Sequence, residues 1–267
     1  MIGVLVLVGA VYLLPPDTSL ALIRENGTIR VCIPPSYPPL VVEDAAAPGY
    51  DIELVTEIAR RLGVRVSFAI NASITRDFNP RSWRITRAQC QLIAGGVVAS
   101  PTTRSFLDTS PAYLETGWAI VSPGPVTTLA GLQVGVYSGL SGLDRLGLSS
   151  FLRAAGAVLN VVTSRAALVD GIASGRFAAG VTEALTARTI ASAEDGWEVA
   201  WMPEQLARYP LAIGLWKGDL TLKRAISAEI EALRREGYLA SLDDKYGIAP
   251  IEGTLNEAPA AGQDPRR

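Results

Sequence analysis

The chain has 267 residues, enough for one large domain or two modest ones, of which 49% are apolar and 19% charged. Its formal net charge of -2 gives no electrostatic reason for a nucleic-acid partner, and the absence of histidine excludes Ser-His-Asp and Cys-His catalysis, His-liganded zinc and imidazole proton shuttles. An enzyme made from this chain would have to work with Glu, Asp, Lys, Tyr or Arg.

Residues Ile2 to Leu14 form an unbroken apolar run closed by Pro15-Pro16. A membrane span needs about 20 residues, so this run has the length of a signal-peptide core or a short anchor. A buried helix of the fold is the third reading of residues 1-16. TIRVCI (28-33) is β-branched and ends at Pro34-Pro35, which predicts a strand. In GYDIELVTEIARRLG the apolar positions Ile52, Val55, Ile58, Ala59 and Leu62 recur at helical spacing, and Gly63 stands where a helix terminates. VRVSFAI and CQLIAGG are further strands, so the order points to βαβ units and a parallel sheet.

The pattern then restarts with LQVGVY, an amphipathic stretch from Leu143 to Ala155, the strand VLNVVT, the helix SRAALVDGIASG and the strand and turn RFAAGVTEA. PLAIGLWKGD reads as a returning strand. LTLKRAISAEIEALRREGYLASLDDKYG carries the apolar stripe Leu222, Ala225, Ile226, Ile230 and Leu233, with Gly237 interrupting it near the end. These elements predict two α/β lobes, each a mainly parallel sheet flanked by helices, the second inserted into the first. Lobe 1 is expected over 20-116 and 213-250 and lobe 2 over 117-212. The Pro/Gly/Ala-rich residues 251-267 are expected to be a disordered tail.

Ligands in such folds sit beyond the carboxyl ends of the strands, in the crevice between lobes. Four turns occupy that place. In PPSYPP, prolines on both sides stiffen the segment that presents Tyr37, either as a ring that stacks on a ligand or as a cap on the core edge. In GGVVASPTTR, Gly95, Gly96 and Val97 lead to Ser100, which can cap a short helix with Pro101 at its first position, and to Arg104, which can grip a carboxylate or remain a solvated surface charge. In YSGLSG, Ser138 and Ser141 offer hydroxyls and Gly139 allows close backbone approach. In VTEA, Glu183 ends a strand of small and apolar residues, where a carboxylate needs a partner, a ligand cation among them, or acts as a general acid of raised pKa.

Taken in order, TIRVCIPPSYPPL, GYDIELVTEIARRLG, LIAGGVVASPTTRSFLDTSPAYLETGWAIV, LQVGVYSGLSG, GRFAAGVTEA, LAIGLWKGD and the closing helix resemble the periplasmic solute-binding proteins of bacterial amino-acid ABC transporters. The resemblance implies the α/β, two-lobed periplasmic-binding-protein type II fold. It also implies an exported, periplasmic clamp that closes on a small solute and presents it to an ABC permease in the inner membrane, with no catalysis and no cofactor or metal. In that family an aromatic after the first strand stacks on the ligand, an arginine grips its carboxylate, a turn in the second lobe adds hydrogen bonds, and an acidic residue takes its amino group. By resemblance these roles fall to Tyr37, Arg104, Gly139-Leu140-Ser141 and Glu183. Four departures matter. Val97 or Val98 stands where a hydroxylated residue is usual, Arg104 precedes Asp108 by four residues where five is usual, Leu140 replaces a threonine, and Glu183 replaces an aspartate with a longer arm. The two lost hydroxyl donors would each contribute about 1.5-3 kcal/mol to a charged ligand.

Two isolated cysteines, Cys32 and Cys90, are read from sequence alone either as buried apolar fillers or as a disulfide that export would permit. They also resemble positions in periplasmic proteins that accompany quinoprotein alcohol dehydrogenases. That resemblance implies a Cys32–Cys90 bond if the strands are in register, and a quinoprotein dehydrogenase as the alternative partner. Cyclohexadienyl dehydratases, which share the fold and use a cleft glutamate as general acid, supply a third reading.

Overall fold

The computed structural model describes residues 17-74, 78-139 and 142-255. The apolar run at 1-16, Leu140, Ser141 and the tail beyond Leu255 lie outside the described residues. Among those described, no helix is long and apolar enough to cross a membrane.

The first lobe begins with α1 (Ser19–Asn26), β1 (Thr28–Ile33), α2 (Tyr50–Arg61), β2 (Arg65–Ile70), β3 (Leu92–Val98), α3 (Pro101–Phe106), β4 (Leu107–Thr109) and β5 (Leu114–Thr116). It recovers the chain at β11 (Tyr209–Trp216), followed by α7 (Leu220–Arg235) and α8 (Tyr238–Lys245). Its sheet runs β2-β1-β3-β11-β4, with β5 also paired to β11. The second lobe contains β6 (Trp118–Ser122), β7 (Gln133–Val136), α4 (Arg145–Ala154), β8 (Val158–Val161), α5 (Arg165–Ala173), β9 (Ala179–Glu183), α6 (Ala184–Ala191) and β10 (Glu198–Trp201). A last strand, β12 (Gly253–Thr254), completes its sheet in the order β12-β10-β6-β9-β7-β8.

Sequence periodicity accounts for the main helices. Leu54, Val55, Ile58 and Ala59 are the buried face of α2, while Asp51 and Glu53 in its first turn and Arg60 and Arg61 in its last complement the helix dipole. Gly63, at φ 74°, supplies the left-handed residue that ends it. Along α7, Leu222, Ile226, Ile230 and Leu233 are buried in the first-lobe core, each side chain contributing about 1.5-3 kcal/mol. The closing helix is not continuous: Gly237, at φ 78°, breaks it into α7 and α8.

Three features correct the sequence reading. Both sheets are mixed, and the first is not mainly parallel, because β11 returns antiparallel to β3, β4 and β5; in the second, β6 is antiparallel to β9 and β10 while the other three pairings are parallel. The first-lobe sheet takes the chain back at Tyr209, a few residues before the expected return at 213. Residues 251-255 are not a free tail. Gly253–Thr254 pair in parallel with β10, Leu255 is 3% exposed in the second-lobe core, and the Arg208 Nη2 donates to Thr254 Oγ1 at 2.8 Å. Without β12 the backbone of β10 would present an open sheet edge.

Cys32 and Cys90 form a disulfide with Cα atoms 5.6 Å apart. β1 lies beside β3 with Val31 opposite Leu92 and Cys32 opposite Ile93, and Cys90 stands in the non-strand segment just ahead of β3, where it reaches Cys32. The bond sits among Ile74, Trp83, Ile85, Ile93, Val97 and Leu107. Cross-linking residues 58 apart limits the unfolded chain, an effect worth about 2-4 kcal/mol. Thermal unfolding with and without reductant is therefore expected to show a clear loss of stability on reduction, matched by Cys32→Ser with Cys90→Ser. Free thiols in the denatured, unreduced protein would contradict the pairing.

Candidate functional site

The site is built on an irregularity in β3. Leu211 and Ala212 of β11 pair with Val98 and Val97, but Gly214 pairs with Ile93, so β3 carries extra residues at Gly95 and Gly96. Their φ angles are 88° and 91°, which glycine adopts without strain. The displaced amides turn to a carboxylate: Asp51 Oδ2 accepts from Gly95 N at 2.6 Å, from Gly96 N at 3.3 Å and from the Tyr113 hydroxyl at 2.7 Å. Asp51 is fully buried, and burial pushes its carboxyl up to about 6 against the opposing pull of Tyr113 and the two amides. It was missed as a functional residue. Its signal is a carboxylate at 51 on the same helical face as Leu54, Val55 and Ile58, where an apolar residue is expected.

The missing side chain at Gly96 seats Tyr37. A Cβ there would lie 2.4 Å from Tyr37 Cε1, and one at Gly95 would lie 2.3 Å from Pro34 Cδ. Tyr37 opens a tight turn in which its N–H donates to Val41 O at 2.8 Å, and its carbonyl accepts from Leu40 N at 2.8 Å and Val41 N at 3.0 Å. Gly95 and Gly96 thus lie beneath the cleft surface, their N–H groups engaged by Asp51. Val97, expected beside the ligand, is fully buried in the cluster around the disulfide. The irregular backbone reverses the alternation that would have pointed it outward.

From the second lobe, Glu183 ends β9 at the start of α6 and is 4% exposed. Its Oε1 accepts from the Tyr37 hydroxyl at 2.7 Å and from Thr116 Oγ1 at 2.6 Å, while Thr186 Oγ1 is 3.5 Å from Oε2. Burial raises the Glu183 carboxyl, and its hydroxyl partners offset only part of that. Burial, and then the Glu183 charge, hold the Tyr37 phenol well above its ordinary value, so it remains a donor. Tyr37 and Glu183, assigned to opposite lobes from sequence, are brought into direct contact. Thr116, on the strand where the chain leaves the first lobe, was not anticipated; it falls on the buried phase of LET, opposite Tyr209.

The remaining residues are less engaged. Ser100 Oγ caps α3 by accepting from Thr103 N at 3.1 Å, with Pro101 at the first position, as the motif predicts. Arg104 is exposed on α3, its Nε 3.5 Å from Thr109 Oγ1, and among the described residues no carboxylate pairs with it. Asp108 pairs with Lys223 at 3.4 Å. Ser138 is half-buried, and Gly139, at φ 55°, uses its carbonyl to accept from Arg145 Nη2 at 3.1 Å. Ser141 lies outside the described residues.

The lobes also meet behind the site. Leu185 of α6 is buried among first-lobe residues, and Arg188 Nη1 donates to Ile248 O at 3.4 Å. The ring of Phe78 packs against Tyr209 with centroids 5.3 Å apart and lies against Gly142.

The model describing bacterial extracellular solute-binding proteins, family 3, matches residues 29-249. The L-cystine-binding protein TcyJ of Escherichia coli K12 is 22% identical over 245 residues, 86% of each chain. Among solved structures, an ancestral cationic amino-acid solute-binding protein is 21% identical with a TM-score of 0.70, covering 86% of this chain and 99% of its own. The unliganded, open L-cystine solute receptor of Neisseria gonorrhoeae is 21% identical with a TM-score of 0.68, covering 85% and 95%.

Two outcomes follow from the carboxylate and the glycine pair. Gly96→Ala forces a Cβ into Tyr37 at a positive φ, with an expected loss of about 1-3 kcal/mol in chemical unfolding. For Asp51 the folded state holds its proton more tightly than the unfolded chain does. Its contribution to stability is therefore full below about pH 4 and declines as pH rises to about 6. Unfolding free energies across that window are expected to fall less steeply in Asp51→Asn than in the unaltered protein.

Proposed function

Because the chain belongs to the bacterial extracellular solute-binding proteins, family 3, we propose that it captures a small polar, amino-acid-like solute bearing a carboxylate between its lobes and delivers it to an ABC importer. The observation that carries this reading is the Tyr37–Glu183 hydrogen bond, which joins the lobes where both were expected to face a ligand. The names of the Escherichia and Neisseria proteins, both for L-cystine, support an amino-acid-like solute.

In this reading residues 20-116 and 209-250 form the lobe that supplies Tyr37 and Arg104. Residues 117-208, completed by 251-255, supply Ser138, Gly139, Ser141 and Glu183. Arg104, exposed and without a carboxylate partner among the described residues, grips the solute's carboxylate. The protein works in the periplasm, with residues 1-16 as its export signal or short anchor. It binds without converting its ligand: Glu183 is engaged by two hydroxyls of its own chain. The Cys32–Cys90 disulfide lies buried between β1 and β3 and offers no surface to a quinoprotein dehydrogenase.

The test is a thermal-shift panel of amino acids, opines and small carboxylates on the protein and on Arg104→Ala. At least one carboxylate is expected to raise the melting temperature, with affinity reduced about ten- to a hundredfold in the variant. Equal binding by the two proteins would remove Arg104 from the site, and no shift with any ligand would overturn the transport reading.

A further inference from the structure

The Tyr37 hydroxyl has little freedom. Three backbone hydrogen bonds hold the turn from Tyr37 to Val41, and the ring rests on Gly96 at a distance that leaves no room for a methyl group. From that fixed position it donates to Glu183 Oε1, which also accepts from Thr116, at 2.7 and 2.6 Å. A carboxylate oxygen has about two lone-pair positions, and both on Oε1 are filled by the protein's own hydroxyls. The other oxygen accepts from Thr186 at 3.5 Å, the limit of hydrogen bonding, and the Arg188 charge acts on the carboxyl without a salt bridge among the described residues.

An amino acid's ammonium group would need acceptors on this carboxylate. The longer arm of a glutamate, where the resemblance leads one to expect an aspartate, reaches across to Tyr37 instead. We propose that Tyr37 and Thr116 substitute for a ligand's ammonium on Glu183, so that the cleft selects small carboxylates lacking a free α-ammonium, with Tyr37 as the specificity-determining residue. Burial raises the Glu183 carboxyl in the same direction. This inference rests on the solute-binding reading and narrows its ligand class. Arg104 keeps its role on the ligand's carboxylate, and the α-substituent meets Tyr37 as a neutral group.

Matched pairs differing at the α-position provide the test: succinate with aspartate, 2-hydroxyisocaproate with leucine, and phenyllactate with phenylalanine. Calorimetric titration of the full protein is expected to show, in whichever pair binds, the ammonium-free member bound at least about tenfold more tightly. Tyr37→Phe frees an acceptor on Glu183 and is expected to move that ratio by about tenfold toward the amino acid. Tighter binding of the amino acids by the unaltered protein, or an unchanged ratio in Tyr37→Phe, would overturn this inference while leaving solute capture standing. Failure of every carboxylate to bind would overturn both.

Discussion

A single buried carboxylate organises the ligand-facing side of this molecule. Asp51 sits in the first turn of α2, surrounded by apolar side chains, and would be costly there without partners. Its partners are the two amides that β3 displaces from the sheet, together with the Tyr113 hydroxyl. The displaced backbone needs glycine at both positions, and the absence of a side chain at Gly96 makes the seat for Tyr37. Tyr37 in turn reaches Glu183 in the other lobe. The chain of cause runs from a charge inside a helix face, through a backbone irregularity, to the bond that joins the lobes.

The same sequence of contacts explains why Gly95, Gly96 and Val97 belong to the site without lining it. Gly95 and Gly96 shape the floor, and Val97 packs over the disulfide beneath. The Val97 side chain is directed inward, so a hydroxyl there would not reach the cleft surface. The Glu183 carboxylate, in contrast, reaches Tyr37 and Thr116.

Much of the fold was legible because its elements carry periodic signals. Strand β1, the apolar faces of α2 and α7, and the Ser-Pro start of α3 all fall where local chemistry predicts. Helix α6 was not seen, since ALTARTIA is short and has only two large apolar residues, of which Ile190 packs with Ala184 and Ala187 in its own lobe and Leu185 packs against the other. Strand β12 was unreadable because two residues cannot show an alternation; its place depends on an edge of β10 far away in sequence. Of the site, the turns were found from topology, while the cysteine pairing was left open by the residues and came only as an implication of resemblance. The bond between Tyr37 and Glu183 was not, because it depends on how two separately recognisable turns are brought face to face.

Each sheet waits for a late part of the chain. The first needs β11, contributed only after the whole second lobe has been made, and the second needs β12, which follows the first lobe's closing helices. The first sheet has all its strands once the chain reaches Trp216, and the second only when the segment through Leu255 is present. Both depend on contacts of long sequence separation, which form slowly. For an extracellular protein this timing is an advantage, because the chain stays unfinished, and so threadable, for as long as it is still being made.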